Sequence, residues 1–377
     1  MLSGSFAGPG YILFSGSNDR AVLALCRGFA NCGAPFALIG REANDLLDQS
    51  MYADRYLSYR TKGKLELRGL LAAVEEARSR TGNERWVLCP TSEYLNLKLF
   101  GMRSELAVHG ISVATCSEGL YRELSDKSTF RKFCERNGVG LPLILDENDA
   151  ARTKLPYVAK PKSNLTNSGS ILYPYLVHTE EDRALFLNEM DTKDYYLEEF
   201  VLGESWYLLY YFGANGVVAS GAQRNILQQG LGKSIVVAQA RPYPEPGTIG
   251  RVEKILIKAG YTGFIMLEIR RKSDGRVVAI EANPRCWGPY QLTLDANMGL
   301  METFLEDHGS QSIALGPFRK ASYCWSGGII QAIRSGKGLD PHVPVLRVLG
   351  ATMRGLLSDV YARKGSWSCF LSDLWRS

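Results

Sequence analysis

The first hundred or so residues alternate short apolar runs with amphipathic stretches. Tyr11–Phe14 is wholly apolar and ends in Ser15-Gly16-Ser17-Asn18; Val22, Leu23, Leu25, Cys26 and Phe29 then recur with a helical period. Gly33 closes that helix, and Phe36–Ile39 is the next strand. The alternation continues with a helix over Leu65–Ala77, a strand over Trp86–Cys89, a helix over Glu93–His109 and a strand over Ile111–Ala114. Strands separated by helices predict a parallel, doubly wound α/β sheet. Its ligand edge lies beyond the strand carboxyl ends, at Ser15–Asn18 and Pro90–Glu93.

The pattern changes after residue 115. Glu118–Leu124 and Lys127–Asn137 read as short helices, the second opened by Asp126 and closed by Gly138. From Tyr157 the chain is strand-rich: Tyr157–Lys160, Tyr195–Val201, Trp206–Phe212, Val217–Ala222 and Ser234–Ala240, with Asn215-Gly216 as a hairpin signal. A helix at Ile249–Ala259 leads into strands Phe264–Arg270 and Arg276–Asn283, an α+β pattern. Beyond Leu300 the chain is mainly helical, with Val345–Ala362 its clearest segment, one that completes the core or forms a homodimer interface.

Composition narrows the function classes. A length of 377 residues favours two or three domains with an ample core. No apolar run approaches the ~18 residues of a spanning helix, and Tyr11–Phe14 is too short for a signal-peptide core, so no membrane partner is expected. The 44 basic and 39 acidic residues leave +5, with no basic block longer than three, which argues against nucleic acid. Eight cysteines without a Cys-x-x-Cys pair and only four histidines make zinc or disulfides poor expectations; reduced thiols in the cytoplasm are the default.

The most informative stretch is Gly263–Arg285. If Asp274-Gly275 forms a two-residue turn, Ser273 pairs with Arg276, and Glu268 lies directly opposite Glu281. Opposed side chains share a face, and period-two alternation adds Arg270 and Asn283 to it. Two like charges set opposite one another destabilise a sheet by roughly 0.2–1 kcal/mol unless a cation bridges them. Two carboxylates and an Asn carbonyl suit a hard divalent ion; the alternative is a solvent-facing pair whose charges relax outward. Lys127, at a helix start, and Lys160, which closes a strand before Pro161 and the polar loop Lys162–Ser170, are candidate phosphate contacts.

Taken in order, SDKSTF, YVAKP with its polar loop, YLEEFVLGES, GYTGFIMLEIR and AIEANPRCWG resemble the ATP-grasp superfamily of carboxylate-activating ligases from about Leu124 to Gly299. The resemblance implies a doubly wound domain (1–116), a two-lobed grasp (117–305, lid lobe about 155–200, catalytic lobe about 201–305) and a mainly helical C-terminal region (306–377). It implies that Lys127 and Lys160 hold ATP phosphates, that Glu198, Glu199, Phe200 and Val201 lie along the adenine, and that Glu204 accepts the ribose hydroxyls. Glu268, Glu281 and Asn283 match the ligands of magnesium, for which manganese can substitute. Arg285, with Lys160, matches the residues beside the transferred phosphoryl group, and Arg224 is a further phosphate contact. One departure is that the phosphate loop has a single glycine, Gly169, where related loops have several.

The implied activity is ATP-dependent joining of a small-molecule carboxylate to an amine through an acyl phosphate. Alternatives within the fold are a thiol or bicarbonate partner, or a nucleotide-binding module without turnover. Gly232-Lys233-Ser234 is not a P-loop, since the first glycine position is Leu227. Ser15–Asn18 lacks the Gly-x-Gly-x-x-Gly of a dinucleotide site. Trp287, just after Arg285, is either a substrate contact or hinge packing.

Overall fold

The computed structural model describes residues 8–42, 45–61, 64–145, 150–162, 172–230, 232–336, 338–342 and 345–377. Residues 163–170 of the polar phosphate loop lie outside the described residues.

The N-terminal unit comprises β1 (Gly10–Phe14), α1 (Asp19–Asn31), β2 (Phe36–Arg41), β3 (Tyr56–Arg60), α2 (Leu67–Thr81), β4 (Trp86–Cys89), α3 (Glu93–Phe100), α4 (Arg103–Val108) and β5 (Ile111–Val113). Its sheet is parallel throughout, in the order β3-β2-β1-β4-β5. The central strand β1 is buried along its whole length, as a run without polar alternation requires. Two expectations change here. β3 was not legible because it is an edge strand with a polar, half-exposed middle. The helix expected over Glu93–His109 is two helices, broken at Gly101 and Met102.

Helices α5 (Glu118–Ser125) and α6 (Lys127–Arg136) lead to a three-stranded antiparallel sheet of β6 (Tyr157–Pro161), β7 (Tyr175–Val177) and β8 (Tyr195–Glu199), ordered β7-β6-β8, with α7 (Glu180–Glu189) against it. Then follow β9 (Glu204–Phe212), β10 (Val218–Gln229), β11 (Ile235–Ala240), α8 (Pro246–Lys258), β12 (Gly263–Arg271), β13 (Val277–Asn283), α9 (Gln291–Asp295) and α10 (Leu300–Asp307). The chain closes with β14 (Ser322–Cys324), α11 (Ser326–Arg334), β15 (Leu339–Pro341), α12 (Val345–Leu356) and α13 (Trp367–Arg376). The C-terminal region is thus not helical alone: β14 and β15 extend the second sheet, ordered β13-β12-β9-β10-β11-β14, with β15 beside β10. Three-residue strands leave too short a pattern to read from the sequence.

One face of this large sheet sets the site. Along β12, Phe264 and Met266 pack into the core shared with α1, Tyr290 and Phe304, while Ile265, Leu267 and Ile269 fill a second core on the other side. Continuing along the first face, the side chains become Glu268 and Arg270. Among the described residues, no helix is long and apolar enough to cross a membrane. All eight cysteines are free thiols, seven of them buried.

Candidate nucleotide and metal site

A cleft of about 920 Å3 separates the small sheet from the large one. Its walls include Lys160 and Glu198 from the small sheet, Glu204, Tyr207, Glu268 and Glu281 from the large one, and the connecting residues 200–203. Gly203 carries the chain between the sheets with φ +151; a Cβ there would meet the Arg271 carbonyl oxygen at 2.3 Å. This close approach is open to glycine alone and delivers Glu204 to the start of β9.

Glu268 is paired across the ladder with Glu281, by a route other than the expected one. The turn spans three residues: Lys272 N donates to Arg276 O (2.8 Å), and Gly275 adopts φ +84. A bulge then restores the register: Ile269 faces Ala279 and Glu268 faces Glu281, which leaves Ile280 without a partner. The bulge has a use, because the Ile280 carbonyl accepts a hydrogen bond from Lys160 Nζ at 2.9 Å.

Burial is the main reason that the Glu268 carboxyl is pushed up to about 7; the charge of Arg270 opposes the rise, and that of Glu281 adds to it. Arg270 Nη2 lies 3.6 Å from Glu268 Oε1, and Ser205 Oγ donates to the same oxygen at 3.4 Å. Asn283 Nδ2 donates to Glu281 Oε1 (2.8 Å), and Asn283 Oδ1 accepts from Arg285 Nη2 (3.0 Å). Two opposed carboxylates and an amide oxygen, with one arginine at ion-pair distance from Glu268, form an oxygen-donor set that fits a hard divalent ion. Among the described residues no group of three His, Cys, Asp or Glu side chains converges, so such an ion would need other oxygens to complete its shell.

The remaining sequence candidates distribute as follows. Glu198 is 2% exposed, and its carboxylate is held by Lys160 (2.5 Å) and Arg131 (3.3 Å). Glu199 pairs with Lys272 at 2.7 Å. Lys127, Glu281, Asn283 and Arg285 line one small pocket beside the main cleft, together with Glu93. The amide groups at the start of α6 are already engaged, since Asp126 accepts from Ser128 N and Thr129 N at 3.0 and 3.1 Å. Arg224 does not share a face with Glu268. It alternates with Gln223 and Asn225 and binds Glu204 Oε1 through Nη2 at 2.6 Å. The other Glu204 oxygen accepts from Trp206 Nε1 at 3.1 Å.

The carboxyl-edge turns of the parallel sheet do meet the site. Asn18, in the left-handed region, donates through Nδ2 to Thr91 O and Cys286 O, both at 3.2 Å. The crevice where the strand order reverses therefore clasps the segment that carries Arg285. Trp287 is buried and packs edge-on to Tyr290, so it serves as packing.

Sequence reasoning missed one contributor. Arg270, placed on the right face, is also held from the C-terminal region: His342 Nδ1 accepts from Arg270 Nη1 at 3.1 Å. His342 Nε2 therefore carries the proton and donates to Gln228 Oε1 at 2.9 Å. Burial, reinforced by Arg270, lowers the His342 pKa to about 3, so the ring is neutral. No local signal marks His342; β15 brings it to the cleft by pairing with β10.

No protein-family model and no curated protein matches the chain. Solved structures do. Biotin carboxylase from Campylobacter jejuni, bound to an ATP analogue, is 16% identical, with TM-score 0.58 over 84% of this chain and 75% of that one. An ADP complex of N5-carboxyaminoimidazole ribonucleotide synthetase is 14% identical, with TM-score 0.61 over 88% and 85%. The biotin carboxylase domain dimer of Hydrogenobacter thermophilus 2-oxoglutarate carboxylase, with magnesium ADP and bicarbonate, is 13% identical, with TM-score 0.61 over 85% and 74%. These likenesses, each over more than four-fifths of this chain, show that it has the ATP-grasp fold.

Proposed function

We propose that this protein is an ATP-dependent ligase that activates a carboxylate as an acyl phosphate and joins it to an amine, releasing ADP and phosphate. The observation that carries this reading is Glu268 facing Glu281 on the wall of a nucleotide-sized cleft, with Asn283, Arg285 and Lys160 around them. Magnesium, held by Glu268, Glu281 and Asn283, would neutralise phosphate oxygens. Phe200 and Val201 would bound the adenine, with Glu198 and Glu199 beside it, and Glu204 would accept the ribose hydroxyls once Arg224 yields.

A substrate carboxylate oxygen attacks the γ-phosphorus, and the bond to the ADP oxygen breaks. The amine then attacks the acyl carbon, phosphate leaves with the bonding pair, and the amine gives up a proton. Lys127, Lys160 and Arg285 act through position and charge, and no protein nucleophile is needed. For Lys160 this requires a switch of partner from Glu198 to phosphate. Bicarbonate in place of the organic acid is a second reading, favoured by the likeness to a structure holding that anion.

The test is ADP release over a panel of carboxylate and amine pairs, with a bicarbonate arm and product masses measured. Release that depends on one pair and is lost in Glu281→Gln supports the ligase. Bicarbonate-dependent release without an organic acid selects the second reading. No release with any pair, or the same release from Glu281→Gln, overturns both.

A further inference from the structure

A second cavity, of about 460 Å3, opens between α12 and the strands β10 and β11. Three arginines line it: Arg224 on β10, Arg241 just beyond β11, and Arg354 on α12. Ile226 and Leu346 give it apolar walls, and no carboxylate is among its lining residues. Arg241 donates from Nε and Nη2 to Gln239 Oε1, both at 3.2 Å, and Arg354 Nε donates to Gly350 O at 3.0 Å. Both acceptors are neutral. Among the described residues, neither arginine has a carboxylate within ion-pair distance.

One cavity lined by three arginines and no carboxylate is a basic environment, and a bound anion would offset its charge. The planar guanidinium forks match carboxylate and phosphate oxygens. Arg224 also lines the nucleotide cleft, where it occupies Glu204 Oε1. The two cavities therefore share one side chain.

We propose that the α12 cavity binds a small dianion, either a phosphate ester or a dicarboxylate, and that this ligand tightens nucleotide binding by drawing Arg224 away from Glu204. The coupling rests on the proposed role of Glu204 at the ribose; the anion site does not. By linkage, nucleotide must tighten the anion by the same factor.

Isothermal titration of the full chain with inorganic phosphate and, separately, with succinate tests the site. The expected result is saturable binding of one anion per chain, weakened about 10-fold or more in both Arg241→Gln and Arg354→Gln. Both side chains are exposed, so the variants should keep the wild-type melting temperature and bind magnesium ADP as the wild type does without anion. The tighter of the two probes identifies the head group. No saturable binding of either, or equal binding in the variants, overturns the site. Saturating anion should raise ADP affinity about 5-fold or more in the wild type and leave it unchanged in Arg241→Gln. Arginine-dependent anion binding with constant ADP affinity overturns the coupling. Arginine-dependent anion binding by a chain that does not bind ADP counts against the nucleotide reading and not against the cavity.

Discussion

Two buried glutamates face each other's sheets across the cleft, and the protein treats them in opposite ways. Glu198, on the small sheet, lies between Lys160 and Arg131. Glu268, on the large sheet, is directly opposite Glu281, with Arg270 at 3.6 Å. Each is at most 5% exposed. A buried carboxylate is costly unless its charge is compensated. Around Glu198 that compensation comes from Lys160 on β6 and Arg131 on α6. The large sheet leaves it incomplete, and the raised pKa of Glu268 is the result. An incompletely compensated pair is what a site needs if a cation is to bind there, whereas a satisfied one holds structure.

The largest effect that would break this comparison is on turnover. Glu281→Gln should lower ADP release by about 100-fold or more while circular dichroism and melting stay native. Next comes stability. Glu198→Gln takes the only ion-pair partner among the described residues from buried Lys160, while half-buried Arg131 keeps Glu135, and urea unfolding should show a loss of about 3 kcal/mol. An unchanged midpoint would mean that Lys160 finds another partner, and the two glutamates would no longer differ in kind. Glu268→Gln should change stability by less than about 1 kcal/mol, or raise it, because it removes repulsion from the pair.

The smallest effect concerns His342. In the folded protein its ring stays neutral down to about pH 3, held so by burial and Arg270, while the unfolded chain takes up that proton near pH 6.5. Between these values the unfolded state binds more protons, so stability falls as pH drops from 6.5 toward 3 and is level above 6.5 on this account. Urea midpoints measured across pH 4–8 should show a shallower acid slope in His342→Gln than in the wild type. Equal slopes would remove His342 from the support of Arg270.

How far the sequence carried varied with the range of the interactions. The alternation of strand and helix through residue 114 depends on local period, and it located four of the five parallel strands. The opposition of Glu268 and Glu281 is local too, spanning one hairpin, yet the assumed turn was one residue short. The correct pairing survived only because a bulge at Ile280 offset the three-residue turn. Arg224 does line the cleft, but its alternation with Gln223 and Asn225 gives it the face of Glu204, opposite that of Glu268.

Sequence alone determined the layers and the order of the chemistry-bearing segments, because side-chain periodicity and turn residues act over a few positions. Tertiary structure alone decided which charges are balanced: Lys160 on Glu198, His342 behind Arg270, and three arginines around one cavity. Apart from Arg224 and Arg241 on neighbouring strands, these groupings join residues tens of positions apart, and no local pattern records them. Even the overall +5 charge proved uninformative beside these few local imbalances. Charge acts through distance and burial, and only the folded chain sets both.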